Sequence, residues 1–378
     1  LNRWACFDVA TGLDLPIKVR VTELVVRHSR WLTHENGNGK GKAMQRIAIT
    51  GSSGYYGRKL VEQIRHESPR SRILGLDVAP PRDNAPDEFA QVDIRDPQLR
   101  SMLADFQPDT IIHLAFVVNP IHNKKRMHDI NVGGTRNVFE AVRTLRPARF
   151  LTSSSATAYG AWPDNPIPMP ENWRLRAREK FQYAADKTLL DYELQALSAE
   201  LPDVAVSWTR AAIIGGKGAN NFLSRMLLKM PWVVLPSGND TPLQFVHEED
   251  CVAATWEILC QDARGPFNIG PNNWMTLTSI AKLTNRRVFT LPLWLFKYVS
   301  WYWWHLRLPV FDYPPSLHDF LRHAWVVAPT RLEKELGFRF RYTAEETVLE
   351  MWNEHQRTKR GGASGRPFAS SESNRRAA

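Results

Sequence analysis

Short apolar runs alternate along the middle of the chain with longer stretches in which apolar residues recur every three or four positions. Ile47–Thr50, Ile73–Asp77, Thr110–Leu114, Phe150–Ser153 and Val204–Thr209 predict buried strands, and residues 55–67, 97–104, 125–145 and 177–200 predict helices. Strands that read as unbroken apolar runs are covered on both faces. The βαβ repetition therefore predicts an α/β fold, a doubly wound parallel sheet with helices on each side. The expected core domain spans 44–210, strands near 243–246 and 266–269 return to it, and 211–353 form mostly a smaller C-terminal substrate domain.

Both ends of the chain break this pattern. Residues 35–42 (ENGNGKGK) are a Gly-rich polar linker placed just before Met44 and the first strand. We expect 1–43 to be an extension outside the core, with Met44 as the natural start. Residues 354–378 are rich in Arg, Ser and Gly and predict a disordered basic tail. The formal charge of +10 follows the same division: 1–43 carry seven Lys/Arg against four Asp/Glu, and 354–378 carry six against two. With most of the excess in the ends and no zinc-finger spacing or basic stripe, a nucleic-acid partner is excluded. The chain is 43% hydrophobic and 23% charged, which excludes wholesale disorder, a collagen-like fibre and a multi-span membrane protein. Three cysteines (Cys6, Cys251 and Cys260) form no CxxC pair, which argues against a disulfide framework or a cysteine zinc site and for a reducing, cytoplasmic location.

Between the first strand and first helix lies Thr50-Gly51-Ser52-Ser53-Gly54-Tyr55-Tyr56-Gly57. Glycines at this junction allow a tight turn, close approach of backbone to a pyrophosphate, and close packing of helix on strand, with the helix N-terminus facing the phosphates. The second strand ends in Asp77, about twenty residues past the last glycine. An acid there binds both hydroxyls of an adenosine ribose and repels a 2′-phosphate, so NAD is expected over NADP. The competing reading is an Asp that only caps a turn.

Two further segments carry chemistry: Thr152 to Gly160 at the end of the fifth strand, and Tyr183-Ala184-Ala185-Asp186-Lys187 on the next long helix. Tyr183 and Lys187 are one helical turn apart and share a face. A phenol ordinarily titrates near pH 10, but a neighbouring ammonium and a nicotinium ring both favour phenolate, making Tyr183 a candidate general base. Ser155 is placed to hydrogen-bond the same substrate oxygen. The alternative is an ordinary exposed helix face, since Tyr-x-x-x-Lys is common.

Taken together with Val92-Asp93, His113-Leu114-Ala115-Phe116, Asn131-Val132-Gly133-Gly134-Thr135, Arg210 and Phe245-Val246-His247 before Asp250, the chain resembles the extended short-chain dehydrogenase/reductase superfamily, in particular the NAD-dependent epimerase/dehydratase family. The resemblance covers roughly 45–350 and implies a Rossmann-like NAD-binding domain. It implies that Gly51, Gly54, Tyr55, Tyr56, Gly57 and Asp77 bind NAD, that Asp93 and Ile94 meet the adenine, and that Leu114 and Ala115 line the adenosine ribose. Lys187 would hold the nicotinamide ribose and lower the Tyr183 pKa. Tyr183 would act as base and acid, with Ser155 assisting. Asn131 is open between a site role and helix packing. A homodimer through 125–145 and 177–200 is implied by the family alone.

The branch is less defined. Dehydratases of the family place an Asp-Glu pair where this chain has Ala156 and Thr157, which disfavours elimination. Sugar-nucleotide 4-epimerases resemble Ser153 to Thr157 better, yet Ile213 and Leu243 stand where they carry an Asn and an Arg suited to a diphosphate. Lys217, Asn220 and Asn221 are candidate substitutes. A sugar nucleotide and an apolar secondary alcohol, as in hydroxysteroid- or lipid-type dehydrogenases, are rival substrates, and a non-catalytic NAD-binding sensor or scaffold is the reading from another class. Residues 291–311 pack four tryptophans between Pro292 and Pro309, a stretch of about 24 Å and too short to span a bilayer. A buried helix, a lid over an apolar substrate and a peripheral membrane contact are its three readings. His247-Glu248-Glu249-Asp250 is expected to be a helix start with capping acids, and no metal is assigned.

Overall fold

The computed structural model describes residues 43–219, 227–228, 230–307 and 314–361. The expectations for 1–42, Asn220, Asn221, 308–311 and 362–378 lie outside these residues.

The first half builds strand and helix in turn: β1 (Arg46–Thr50), α1 (Tyr55–Glu67), β2 (Arg72–Asp77), β3 (Glu88–Gln91), α2 (Gln98–Phe106), β4 (Thr110–His113), α3 (Lys124–His128), a π turn (Asp129–Gly133), α4 (Gly134–Leu145), β5 (Arg149–Ser153), α5 (Gln182–Glu200) and β6 (Ala205–Ala211). With β11 (Gly265–Ile269) they form a seven-stranded parallel sheet in the order β11-β6-β5-β4-β1-β2-β3. The doubly wound, Rossmann-like sheet expected from the apolar runs is therefore present. Its covered faces show in β1, where Ile47 and Ile49 join one core with α1 residues Leu60, Val61 and Ile64, and Ala48 joins the opposite core with α4 residues Val138 and Val142. The connections after β1 and β4 run to opposite faces, which opens a crevice at the carboxyl ends of these two neighbours.

The second half adds β7 (Ile213–Gly215), β8 (Trp232–Pro236), β9 (Pro242–Leu243), β10 (Phe245–His247), α6 (Glu248–Cys260), β12 (Met275–Thr276), α7 (Leu277–Leu283), β13 (Arg287–Leu291), α8 (Leu293–His305), α9 (Thr330–Leu336) and α10 (Ala344–Gly361). Its side chains share a third apolar core with the segment that carries Tyr159 and Tyr183, running from Met127 through Tyr183 to Met351. Division at residue 210 is thus no break in packing.

Four expectations need correction. Only 266–269 returns to the main sheet; 245–247 pairs in parallel with β7 instead. The flank of β6 is already taken by β11, and the chain changes partner at Ala212, whose N–H bonds Ile269 O before Ile213 N–H bonds Gln244 O. The helix expected from 177 begins at Gln182, because Phe181 is extended (φ −101°) to bury its ring against Tyr183 and Phe320. The helix expected over 125–145 is interrupted by the π turn around buried Asn131. Residues 354–361, read as tail, continue α10: Arg357 and Lys359 lie on the solvated face of a helix that buries Val348 and Met351, and Thr358 Oγ1 donates to Glu354 O at 2.9 Å.

Candidate active site

Every candidate cofactor residue except Asp93, Ile94, Asn131, Tyr183 and Lys187 lies at or just beyond the carboxyl end of β1, β2 or β4. Gly51 has φ +76°, and a Cβ there would stand 2.5 Å from Ala115 N, so this turn admits only glycine beside β4. A Cβ on Gly57 would meet Gly51 O at 2.2 Å, which is how the first turn of α1 comes to sit against the loop. Gly54 precedes α1 as its N-cap, with its N–H on Gly51 O. The hydroxyls of Ser52, Ser53 and Tyr55 have no partner although buried. A cradle that a side chain would fill, lined by unused hydroxyls at a helix N-terminus, fits a pyrophosphate. Tyr56 turns away, its hydroxyl meeting Thr255 Oγ1 and donating to Cys251 O of α6, so only its backbone faces the loop.

Asp77 accepts Ser53 N at 3.0 Å and Ala79 N at 3.0 Å, one on each carboxylate oxygen. Both oxygens keep a further lone pair, so capping the turn and receiving two ribose hydroxyls are compatible. Asp93 is gripped by the Arg95 guanidinium, with Nη2 at 2.7 Å, which holds its carboxyl below the usual range. Arg95 also bridges to Asp129 at 2.6 Å. Ile94 is buried against Gly134, and its carbonyl accepts Asn137 Nδ2 at 2.9 Å, so it braces α4. Leu114 N–H bonds Thr50 O at 2.9 Å, joining β4 to β1 and leading into Ala115 beside Gly51.

Beyond β5, Ser155 is extended and caps a 3-10 turn, Ala156–Tyr159. Its Oγ accepts Thr157 N at 3.2 Å and Thr157 Oγ1 at 2.9 Å. With both lone pairs engaged, the Ser155 O–H is left to donate. Burial pushes the Tyr183 phenol up to about 12, and the Ser155 hydroxyl offsets part of that shift. Lys187 is 3% exposed, donates to Ser153 O at 2.6 Å, and lies 3.4 Å from the centroid of the Phe116 ring. Phe116 meets Tyr183 edge-on at 5.7 Å. Gly51, Ala115, Phe116, Lys187 and Tyr183 thus form one continuous series of contacts from phosphate loop to phenol.

Burial lowers Lys187 to about 7, against attraction from Asp186 and Asp191. Between pH 7 and the free-lysine value near 10.5 the unfolded chain holds the extra proton, so the Lys187 contribution to stability grows as pH rises through that window. Lys187→Met is therefore expected to stabilise the protein at pH 7 by roughly 2–3 kcal/mol, after about 1 kcal/mol lost at the Ser153 carbonyl, with the gain vanishing toward pH 10. Urea denaturation midpoints at the two pH values check it; a destabilised variant at pH 7 contradicts the buried-ammonium account.

Asn131, open in the sequence between a site role and helix packing, has a positioning role, and the roles of Asp186, His128 and His113 escaped the sequence reading. Asn131 Oδ1 accepts Val117 N at 2.8 Å and its Nδ2 donates to Asp186 at 3.2 Å, so it pins the loop carrying Phe116 onto α5. Asp186 also receives Gln182 Nε2 at 2.8 Å and pairs with His128 Nδ1 at 2.7 Å. Burial lowers His113 to about 3, keeping it neutral between Thr50 Oγ1 (2.6 Å) and Thr135 Oγ1 (2.9 Å). Thr135 already donates to Asn131 O, so His113 carries its proton on Nε2. Asp186 lies within the Tyr-Ala-Ala-Asp-Lys segment, but its partners Asn131 and His128 are 55 and 58 residues away and leave no local signal. His247 Nδ1 caps α6 through Glu249 N, and Asp250 accepts the backbone of Arg341 and Tyr342, so the acidic start of α6 is structural.

An uncharacterized protein of Mycobacterium tuberculosis (strain H37Rv) is 26% identical over 315 residues, covering 79% of this chain and 81% of its own length. Among solved structures, Thermotoga maritima UDP-glucose 4-epimerase with UDP-glucose superposes with a TM-score of 0.65 at 17% identity, over 83% of this chain and 100% of its own. Bordetella bronchiseptica WbmG in complex with NAD gives a TM-score of 0.61 at 21% identity, over 84% and 95%. These two share the fold with this chain. Residues 47–270 match the model of the NAD dependent epimerase/dehydratase family, and with the strand order and loop geometry above, the chain belongs to that family of extended short-chain dehydrogenase/reductase enzymes.

Proposed function

We propose that the protein is an NAD-dependent enzyme that transfers hydride at a secondary alcohol or ketone carbon, with Tyr183 as general base and acid. The observation that carries this reading is the series of contacts from the Gly51 turn through Ala115 and Phe116 to Lys187 and Tyr183, with Ser155 capping the turn beyond β5. The glycine loop, Ser52, Ser53 and Asp77 would hold NAD, which supplies acceptance and return of the hydride. The substrate hydroxyl gives its proton to Tyr183 Oη as the carbinol hydrogen leaves with its electron pair, and the reverse step returns both. Ser155 donates to the substrate oxygen and fixes it beside the phenol. Lys187 favours phenolate while protonated. NAD over NADP rests on Asp77. The intact Ser155, Tyr183 and Lys187 set weighs against a non-catalytic sensor or scaffold.

A sugar nucleotide is the first substrate class, as in the Thermotoga neighbour with UDP-glucose and in keeping with Ser153 to Thr157. One observation favours an apolar secondary alcohol: Ile213 and Leu243 are both buried in the core shared with Tyr183, so neither position offers a phosphate a polar partner. Lys217 does not compensate freely, since it pairs with Glu350 at 3.4 Å.

The reading is tested by releasing the nucleotide from purified, desalted protein and identifying it by mass spectrometry. NAD retained near one per chain is the result expected of an epimerase, which oxidises and re-reduces its substrate in place, and directs the first assays to UDP-sugars. An emptied site that rebinds NAD reversibly favours the dehydrogenase branch and assays with sterols and other apolar alcohols. Failure to bind either oxidation state of NAD or NADP would overturn the proposal.

A further inference from the structure

From Ala263 to Phe311 the chain contains no Asp or Glu, while Arg264, Lys282, Arg286, Arg287, Lys297 and Arg307 give this stretch six positive charges. No other part of the sequence combines such length with a single sign. The stretch includes β13, whose Arg287, Val288, Phe289 and Thr290 are all exposed, and α8, which follows after one proline. On α8 the exposed rings are Trp294 (70%), Tyr298 (62%), Trp301 and Tyr302, with Lys297 beside them. Spacings of three, four and seven residues put these five on one face. Phe289 and Trp232 of β8, both exposed, form a further apolar pair on the strands that precede α8, their rings 5.9 Å apart.

We infer that this face docks on an anionic lipid bilayer surface, with α8 lying in the headgroup plane. Tryptophan and tyrosine have an apolar body and a polar tip, which suits the boundary between acyl chains and headgroups and gives no comparable advantage in water. Exposed Lys297, Arg287 and Arg307 complement the negative leaflet. Thirteen residues make a helix of about 20 Å, and among the described residues no helix is long and apolar enough to cross a membrane, so α8 would lie on the surface. The helix is held firmly from beneath: buried Ser300 meets His318 Nε2 at 2.6 Å, and Phe296 packs edge-on against the same imidazole at 5.2 Å. A second copy of the chain is a poorer occupant, because a two-fold contact through this face would bring its cations against their own symmetry mates with no acid in the segment to offset them.

Trp304 stacks on His122 at 4.1 Å, tying α8 to the loop that begins with Phe116 at the active site. Docking would turn that side of the protein toward the bilayer, which suits an apolar alcohol as substrate. That extension rests on the proposed reaction, whereas docking does not.

The test is flotation of the full chain with vesicles, which needs no turnover and so fails or succeeds separately from the catalytic reading. Wild type is expected to float with phosphatidylcholine vesicles containing phosphatidylglycerol, at least about tenfold better than with phosphatidylcholine alone, and to be released by salt. Trp294→Ala/Trp301→Ala and, separately, Lys297→Glu are each expected to cut partitioning by about tenfold or more. All three positions are exposed, so far-UV circular dichroism and thermal midpoint should match wild type. Equal flotation of the variants would overturn the assignment by placing lipid binding elsewhere in the chain. Absence of flotation by wild type at low salt would overturn it as well, as would a dimer that the tryptophan variants convert to monomer in sedimentation without any lipid binding.

Discussion

Tyr183→Phe is expected to lower kcat by about 10²–10⁴-fold while leaving NAD affinity and the fold nearly unchanged. Phenylalanine keeps the ring that Phe116 meets at 5.7 Å and Phe181 at 5.8 Å, and removes only the phenol hydroxyl. Substrate would still bind beside Ser155, so the loss belongs in kcat more than in KM. The pH dependence sharpens the test. Burial holds the Tyr183 phenol near 12 and Lys187 near 7, so the free protein is poorly poised for base catalysis at neutral pH. Oxidised NAD brings a positive ring that favours phenolate, and reduced NAD does not. Titrating the wild type with oxidised NAD should therefore develop a phenolate ultraviolet band at a lower pH than titrating with reduced NAD. The variant should show no such difference. In the alcohol-oxidising direction kcat/KM should rise with pH as the phenol ionises, and the residual activity of the variant should lack that rise. Undiminished kcat in a folded Tyr183→Phe protein refutes Tyr183 as the base.

The parts of this site that could be read from the sequence are those fixed by local backbone rules. Gly51 and Gly57 announce themselves because a turn with φ +76° and a helix start pressed on a carbonyl oxygen tolerate no side chain. Tyr183 and Lys187 are legible from a spacing of four on a helix. β1, β2, β4, β5 and β6 are legible because each carries a short apolar run and is covered on both faces, whereas β3 (Glu88–Gln91) has no buried residue and was not read from the sequence. What remained hidden depends on distant partners. The π turn at Asp129–Gly133 exists for the bonds that Asn131 makes to Val117 and Asp186, which no window of sequence contains. The pairing of β7 with β10 was missed because three-residue strands carry too few side chains for a pattern. Parallel pairing of β8 with β13 was missed because β13 exposes four successive residues and so shows no inward period. In α8 nearly every position is apolar, so the sequence could not say which side faces out. The burial of Phe296 and Ser300 decides it.

Asp191→Ala is expected to destabilise the protein by about 3–5 kcal/mol, the largest stability effect of any single substitution discussed. Asp191 lies one turn beyond Lys187 on the same inward face of α5 and is wholly buried. Its carboxylate receives Arg210 Nε at 2.8 Å, Arg210 Nη2 at 2.6 Å, Ser154 Oγ at 2.9 Å and Trp208 Nε1 at 2.9 Å. Arg210 Nη1 continues to Tyr159 Oη at 2.7 Å and Glu171 O at 2.7 Å, and Tyr159 donates to Asn268 at 2.8 Å. The network thereby ties α5, β5, β6 and β11 together one helical turn beyond Lys187. Desolvating both ions is costly, so the pair contributes little net stability, but removing one partner strands the other. Alanine would leave the Arg210 cation buried with two donors unpaired. The double replacement Asp191→Leu/Arg210→Met should recover much of the loss, because it removes both charges and keeps volume. Urea midpoints for wild type, each single variant and the double variant give the coupling directly. Purely additive losses would mean that the two side chains act independently, against the geometry. Asp191→Asn offers a second check: it keeps the shape of the network, should lose less stability than alanine, and should lower the Lys187 pKa further by withdrawing one of the two carboxylates that raise it. The neutral-pH activity of a folded Asp191→Asn protein is thus expected to fall with Lys187 protonation, although the residue touches neither substrate nor cofactor.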